Sequence, residues 1–235
     1  MNQPQLREEG FTILPDIFSS REVNILIDSI GKSDVSGPLF RKTNDLFAIR
    51  QFLKELPETT RLLFTNDFKG IIRDYAGEDY FVVKSIYFDK PGGSNWFVAW
   101  HQDLTIAVDK RLECAGFSGW TSKQGAFSVQ PPAEVLESVF TFRIHLDDTD
   151  GENGALRVIP GSHRKGVIRT DGRESGAPDE RVCAVKKGGV MIMKPLLLHA
   201  SSRVMNNRQR RVIHIEFCNR QLPYELNWAE YMRVW

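Results

Sequence analysis

The chain reads as a mainly β protein with helices at its N-terminal end, an antiparallel sandwich or barrel backed by a helical layer. Two patterns carry this reading. Before residue 78, apolar residues recur at helical spacing between capping and breaking residues. From Tyr80 onward, short β-branched and aromatic runs follow one another at regular intervals, punctuated by turn residues, with no long helical stretches between them. A length of 235 residues fits one large domain, and nothing in it repeats. One domain over 1–235 is therefore expected, with 1–78 a helical support region and 79–220 the β-core.

Element by element, Phe11 to Leu14 is a short strand. Ser19 or Ser20 can cap a helix through Val23, Leu26, Ile27 and Ile30, closed by Gly31. Residues 31–44 are polar, with Gly, Pro and Ser, and predict a mobile loop. Asp45 to Leu56 has helical periodicity, Pro57 opens a further helix through Leu62, Leu63 and Phe64, and Asp67 to Tyr75 predicts another, ended by Gly77. YFVVKSIYFD and WFVAWHQD predict two strands around the turn-rich KPGGSN. Residues 110–130 interleave Gly116, Gly119 and Gly125 with Phe117, Trp120 and Phe127, which suggests a Gly-jointed aromatic lid. After a short helix at Pro131-Pro132 come strands at SVFTFRIHLDD, ALRVIP, RVCAVK, GVMIMK, LLLHAS and RRVIHIEF, with turn chemistry at Asp150-Gly151 and Asn153-Gly154.

A formal net charge of +1 points neither to nucleic acid nor to an anionic membrane. The longest apolar run, VMIMKPLLLHA, is broken by Lys194 and Pro195 and is too short to span a bilayer. MNQPQLREEG has no apolar core of a secretory signal, and the end at Met232-Arg233-Val234-Trp235 is no Ser-Lys-Leu address. Cys114, Cys183 and Cys218 are odd in number with no C-x-x-C spacing, and read as reduced thiols. A cytoplasmic location is expected, and nothing sets an oligomeric state.

His101 and Asp103 sit two apart in WFVAWHQDL. On a strand, such residues share a face. His199, in KPLLLHASS, can supply a third ligand from across a sheet. Two His and a carboxylate form the facial triad of non-haem Fe(II) oxygenases, which leaves positions open for a bidentate co-substrate and O2. One His-x-Asp alone is weak; its surroundings decide.

Those surroundings resemble the phytanoyl-CoA dioxygenase family of Fe(II)/2-oxoglutarate oxygenases. The resemblance runs in order through EEGFTILPDIFSSREV, YFDKPGGSNWFVAWHQDL, LDDTDGENGALRVIPGSHRKG and GGVMIMKPLLLHASSRVMNNRQRRVIHIEF. It implies a double-stranded β-helix, the jelly roll of cupin-like proteins. It implies Fe(II) held by His101, Asp103 and His199, with 2-oxoglutarate and O2 as co-substrates, a small organic molecule as substrate, and succinate and CO2 as products. The family places a co-substrate arginine eleven residues after the distal histidine, which is Arg210 here; Arg211 would face the other way. Ser201 and Gln102 match further co-substrate contacts. Family halogenases lose the carboxylate, whereas this chain keeps Asp103, so hydroxylation of a C–H bond is the implied reaction, with desaturation or cyclisation open to the same chemistry.

Along SVFTFRIHLDD, Thr141, Arg143, His145 and Asp147 share a face opposite Phe140, Phe142, Ile144 and Leu146. Many family members carry an aromatic residue where this chain has Arg143, which suits either an anionic substrate or a pairing with a nearby carboxylate. Arg143, with Trp120 and Phe117 from the expected lid, are the substrate candidates. His163 belongs to the PGSH turn and reads as structural, and His214 as a core histidine. The alternatives are a cupin-type metal-binding protein or isomerase that does not use 2-oxoglutarate, and a non-catalytic binding module on the same fold; Arg210 and Ser201 argue against the first and the intact triad against the second.

Overall fold

A computed structural model describes residues 3–33, 39–43, 47–94, 96–123, 126–168 and 179–235. Its elements run α1 (Gln3–Glu9), β1 (Phe11–Leu14), α2 (Ser20–Gly31), β2 (Phe40–Lys42), β3 (Phe47–Arg50), α3 (Phe52–Glu55), α4 (Glu58–Leu63) and α5 (Asn66–Tyr75). Then follow β4 (Phe81–Lys90), β5 (Val98–His101), β6 (Ile106–Val108), β7 (Ser118–Lys123), β8 (Ala126–Gln130), α6 (Ala133–Glu137) and β9 (Phe140–His145). The chain closes with β10 (Leu156–Val158), β11 (Arg181–Cys183), β12 (Val190–Met193), β13 (His199–Ser201) and β14 (Arg210–Cys218).

The strands form a seven-stranded sheet ordered β1-β12-β9-β14-β4-β3-β2, a four-stranded sheet ordered β11-β10-β13-β5 and a three-stranded sheet ordered β6-β8-β7. The first two face each other, antiparallel throughout, and make the jelly roll. Strand parity divides the large sheet. Its outer face sends Phe142, Ile144, Ile192, Ile213, Ile215 and Phe217 into a core shared with Val23, Leu26 and Ile30 of α2 and Phe68 and Ile72 of α5. Phe68 meets Phe142 edge-on at 5.9 Å, and Phe142 meets Phe217 at 5.2 Å. The inner face carries the polar set Arg143, His145, Arg210, His214 and Glu216, which turns toward the four-stranded sheet.

Local chemistry places the supports. Ser19 caps α2 by accepting from Glu22 N, while Glu22 accepts from Ser19 N at 2.8 Å, a reciprocal capping box. Asn153 closes the turn before β10 by accepting from Asp150 N (2.8 Å) and donating to Asp148 O (2.7 Å), beside Gly154 at φ 82°. Ser162 accepts from Leu198 N at 2.8 Å and so ties the PGSH turn to the start of β13. His163 contacts Arg7 O at 3.2 Å. Among the described residues no helix is long and apolar enough to cross a membrane.

Four expectations need correction. The helix expected over Asp45 to Leu56 is instead β3, which covers the edge of β4 (Ala48↔Phe88, Ile49↔Tyr87), then a left-handed Gln51 (φ 50°), then the single turn of α3. Pairing with an open sheet edge overrides the helical periodicity there. The loop expected over 31–44 contains β2, and its residues 34–38 and 44 lie outside the described residues. The support region 1–78 is not purely helical, since β1, β2 and β3 are strands of the large sheet. The β-core also runs past 220: Val82 bridges Met232, Val108 bridges Trp228, and Val234 is buried in the main core.

Candidate metal and co-substrate site

Strand pairing brings the two histidines together. In the β13–β5 ladder His199 lies opposite His101, and the ring centroids are 4.2 Å apart. Asp103 arrives differently from the sequence expectation. β5 ends at His101, and Asp103 lies beyond it, held by its backbone N–H donating to Pro195 O at 2.9 Å. Its carboxylate oxygens stand 3.7 Å from His101 Nε2 and 3.8 Å from His199 Nε2, outside hydrogen-bond reach. One ligand atom from each of the three residues lies within 4.8 Å of the others.

Each histidine is oriented by its own strand. His101 Nδ1 lies 2.8 Å from Ala99 O and His199 Nδ1 lies 2.8 Å from Leu197 O. A carbonyl only accepts, so Nδ1 carries the proton and Nε2 presents its lone pair to the gap. Burial pushes His199 down to about 4, against the pull of Asp103. For Asp103, burial pushes up, but His199, Lys84, His214 and His101 outweigh it and hold the carboxyl well below the usual range. Two imidazole nitrogens and one ionised carboxylate converge, which is the donor set of a divalent first-row metal.

A cavity of about 130 Å³ adjoins the triad. Arg210 and Arg143 both line it, each buried, and among the described residues neither has a carboxylate partner within salt-bridge distance. Among the described residues Arg210 Nε and Ser201 Oγ are buried without a hydrogen-bond partner. Burial lowers Arg210 to about 9, with the neighbouring Arg143 adding to it. An unpaired buried guanidinium is costly, so a cavity that holds one is prepared for an anion. Arg211, one residue on, faces outward and is fully spent on Asp147, with Nε and NH2 donating at 2.9 and 2.7 Å.

The cavity floor holds a relay that the sequence reading missed. Arg143 NH1 donates to His214 Nδ1 at 3.0 Å, which leaves Nε2–H to donate to Glu216 Oε1 at 3.0 Å. Lys84 Nζ donates to the same oxygen at 2.8 Å. Register explains the grouping, for Arg143 lies opposite His214 and Lys84 opposite Glu216. The available signal was a lone charge inside each of two apolar strands, VVKSI and HIEF. His214 is thus a cavity residue rather than an isolated core histidine.

Three site expectations are corrected. Gln102 does not reach the cavity. Its amide donates to Gly166 O and Leu196 O (2.9 and 2.6 Å) and accepts from Ile168 N (2.7 Å), so it ties the ligand loop to two neighbouring segments. Trp120 and Phe117 do not line it either. They pack on the satellite core of Phe81, Ile106, Val129 and Leu136. The expected lid is the three-stranded sheet, with Gly119 (φ 63°) in the bulge where the β7–β8 register shifts. Gly125 lies outside the described residues.

Comparison with known proteins bears on the family and the fold. Among curated proteins, the chain is 25% identical over 192 residues to a probable alpha-ketoglutarate-dependent hypophosphite dioxygenase of Stutzerimonas stutzeri, covering 74% of this chain and 57% of that protein. It is 25% identical over 164 residues to the ectoine dioxygenase of Sphingopyxis alaskensis, covering 66% and 47%. The chain thus spans about half the length of the curated relatives it matches. Among solved structures, HygX from Streptomyces hygroscopicus with nickel, 2-oxoglutarate and hygromycin B bound shares the fold at a TM-score of 0.66 and 17% identity, over 94% of this chain and 89% of that one. The carbocyclase SnoK from nogalamycin biosynthesis does so at 0.64 and 18%, over 92% and 82%. Residues 6–212 match the family model described as phytanoyl-CoA dioxygenase (PhyH), and over that span the chain belongs to the phytanoyl-CoA dioxygenase family.

Proposed function

We propose that the protein is an Fe(II)- and 2-oxoglutarate-dependent dioxygenase that hydroxylates a C–H bond of a small organic substrate. The observation that carries this is the joint presence of three free ligand atoms and, in the same cavity, a buried Arg210 with an unused Nε. His101, Asp103 and His199 would hold the metal, and Arg210, with Ser201 Oγ, the 2-oxoglutarate. When bound, iron and 2-oxoglutarate supply the oxidising power: O2 is consumed, 2-oxoglutarate leaves as succinate and CO2, and one oxygen atom enters the substrate.

The chain's own residues do the rest. The Ala99 and Leu197 carbonyls keep the Nδ1 protons, so neither imidazole turns its N–H toward the metal position. Arg210 gives a carboxylate a forked pair of donors on a buried guanidinium, which fixes the co-substrate's far end. Burial, against the pull of Glu216, lowers His214, and its place in the Arg143–His214–Glu216–Lys84 relay pins Arg143.

Anaerobic Fe(II) titration, followed by succinate formation from 2-oxoglutarate in air, tests the reading. Wild type should bind one Fe(II) and release succinate even without a primary substrate, while His199→Ala should bind iron at least tenfold more weakly with its circular dichroism unchanged. Iron binding without any use of 2-oxoglutarate would favour the cupin-type alternative instead.

A further inference from the structure

A second cavity, of about 260 Å³, lies beside the first, between β3–β4 and the three-stranded sheet. Lys84 and Ile86 line both, so the two chambers share a wall. At about 130 Å³ the metal cavity has half the volume of its neighbour, and only the two together reach the roughly 300–1,000 Å³ of ordinary ligand pockets. Once a co-substrate sits on Arg210, little of it remains. The adjoining chamber is the available space next to the metal.

Its lining is specific. Thr105, Thr121 and Ser128 bring hydroxyls and Gln51 an amide, set among Leu39, Ile86 and three alanines, and no aromatic residue lines it. Arg50 lines it with no carboxylate within salt-bridge distance among the described residues. Gln51 holds a left-handed backbone at φ 50°, a conformation that a non-glycine residue keeps only where its surroundings impose it. Charge points the same way. Arg50, Lys84, Arg143 and Arg210 line the two chambers with Asp103 and Glu230, and Glu216 pairs with Lys84 behind the wall. A divalent metal and a 2-oxoglutarate dianion cancel each other, so the cationic surplus remains. Glu230 offsets only part of it: burial raises its carboxyl to about 7, against the pull of the Ser85 N and Oγ donors.

We propose that this chamber is the substrate site, and that it takes a small, hydrophilic, non-aromatic anion whose carboxylate or phosphate group is received by Arg50. The assignment rests on the dioxygenase reading above. Thr121 rather than its neighbour Trp120 belongs to the site, because the alternation of β7 turns Trp120 to the satellite core and Thr121 to the chamber.

The test uses the full chain loaded with Ni(II) and 2-oxoglutarate, a non-turnover complex, and measures binding by calorimetry. The probes are glycerate and glycerol 3-phosphate against glycerol, and gluconate and glucose 6-phosphate against glucose. At least one anion should bind tenfold or more tightly than its neutral counterpart, and the carboxylate and phosphate arms tell which head group Arg50 receives. Arg50→Gln should weaken that anion at least tenfold, Arg50→Lys should recover part of it, and Arg21→Gln on the exposed face of α2 should leave it unchanged. Ser128→Phe should fill the chamber and abolish probe binding while 2-oxoglutarate still binds as in wild type. Neutral polyols binding as well as their anions, anion binding that survives Arg50→Gln or Ser128→Phe, or no anion binding to protein that does bind 2-oxoglutarate would each overturn the proposal. Failure to bind 2-oxoglutarate at all would instead remove the dioxygenase reading beneath it.

Discussion

Arg210 and Arg211 are adjacent on β14 and meet opposite surroundings, which makes them a sharp comparison. Arg210 is buried in the metal cavity with an unused Nε, while Arg211 is committed to Asp147 on the outer side. Losing a charge-assisted contact to a carboxylate that stays buried costs on the order of 2–5 kcal/mol. Arg210→Ala should therefore raise the 2-oxoglutarate concentration needed for half-maximal succinate release by at least tenfold, and Arg211→Ala should change it less than threefold; succinate assays across a co-substrate titration give both. The reverse ranking would place the other arginine inside. At this scale the sequence was most informative where a residue's role depends on neighbours close along the chain. Arg210 was expected through the family's spacing from the distal histidine and through strand parity, and it does line the cavity. The relay from Lys84 through Glu216 and His214 to Arg143 was not, because its members meet only across the β4–β14–β9 ladders. Gln102 was misread for a related reason. The family resemblance implied a co-substrate contact, but the partners of Gln102 are backbone groups of residues 166, 168 and 196, far along the chain.

At the scale of elements, periodicity was a good guide wherever an element buries one face against the core, as in α2, α5, β9 and β14. It failed where an element completes a sheet edge. The stretch from Phe47 to Arg50 can follow either period, and the open flank of β4 decides for strand. The segment after the ligand loop failed for another reason: its glycines suggested joints, yet Gly119 serves a bulge inside paired strands. The expected behaviour of this segment changes with its structure. Amides of β7 and β8 that are paired in the ladder should exchange slowly with solvent, and equally so with and without Ni(II) and 2-oxoglutarate, by hydrogen-exchange mass spectrometry over 118–123 and 126–130. Exchange more than tenfold faster in the ligand-free protein would restore a closing lid. The metal triad survived an error in its own premise, since Asp103 lies beyond the end of β5. The spacing of two still brings it beside His101, because Pro195 O and the Gln102 amide hold the loop in place.

At the scale of the whole molecule, stability should carry the mark of one buried acid. Glu230 packs against Ser85 near Lys84 and Glu216, and burial raises it from its ordinary value of 4.5 to about 7. A raised carboxyl means that the folded protein holds a proton the unfolded chain has released. Its stabilising share is therefore complete below about 4.5 and is lost as pH rises through about 7, a change of about 3 kcal/mol at most. Glu230→Gln keeps the amide's donor and acceptor but cannot ionise. Urea melts should show the variant gaining on wild type by about 1–3 kcal/mol between pH 5 and pH 8; a constant difference across that range would mean that Glu230 titrates normally. The jelly-roll topology was legible only through the resemblance, because strand order in a sheet leaves no local trace. That order has a consequence for how the chain reaches its native state. β1 hydrogen-bonds to β12, with Thr12 opposite Ile192, and His101 waits for His199. During synthesis the first strand leaves the ribosome long before its partner exists, and the polar inner face cannot form until β13 and β14 have emerged. Such non-local closure makes for slow folding and a long-lived exposed edge. The His101–Asp103–His199 cluster is therefore among the last features of the molecule to assemble, and nascent chains halted before residue 199 should depend on chaperones and, on the proposed function, retain no iron.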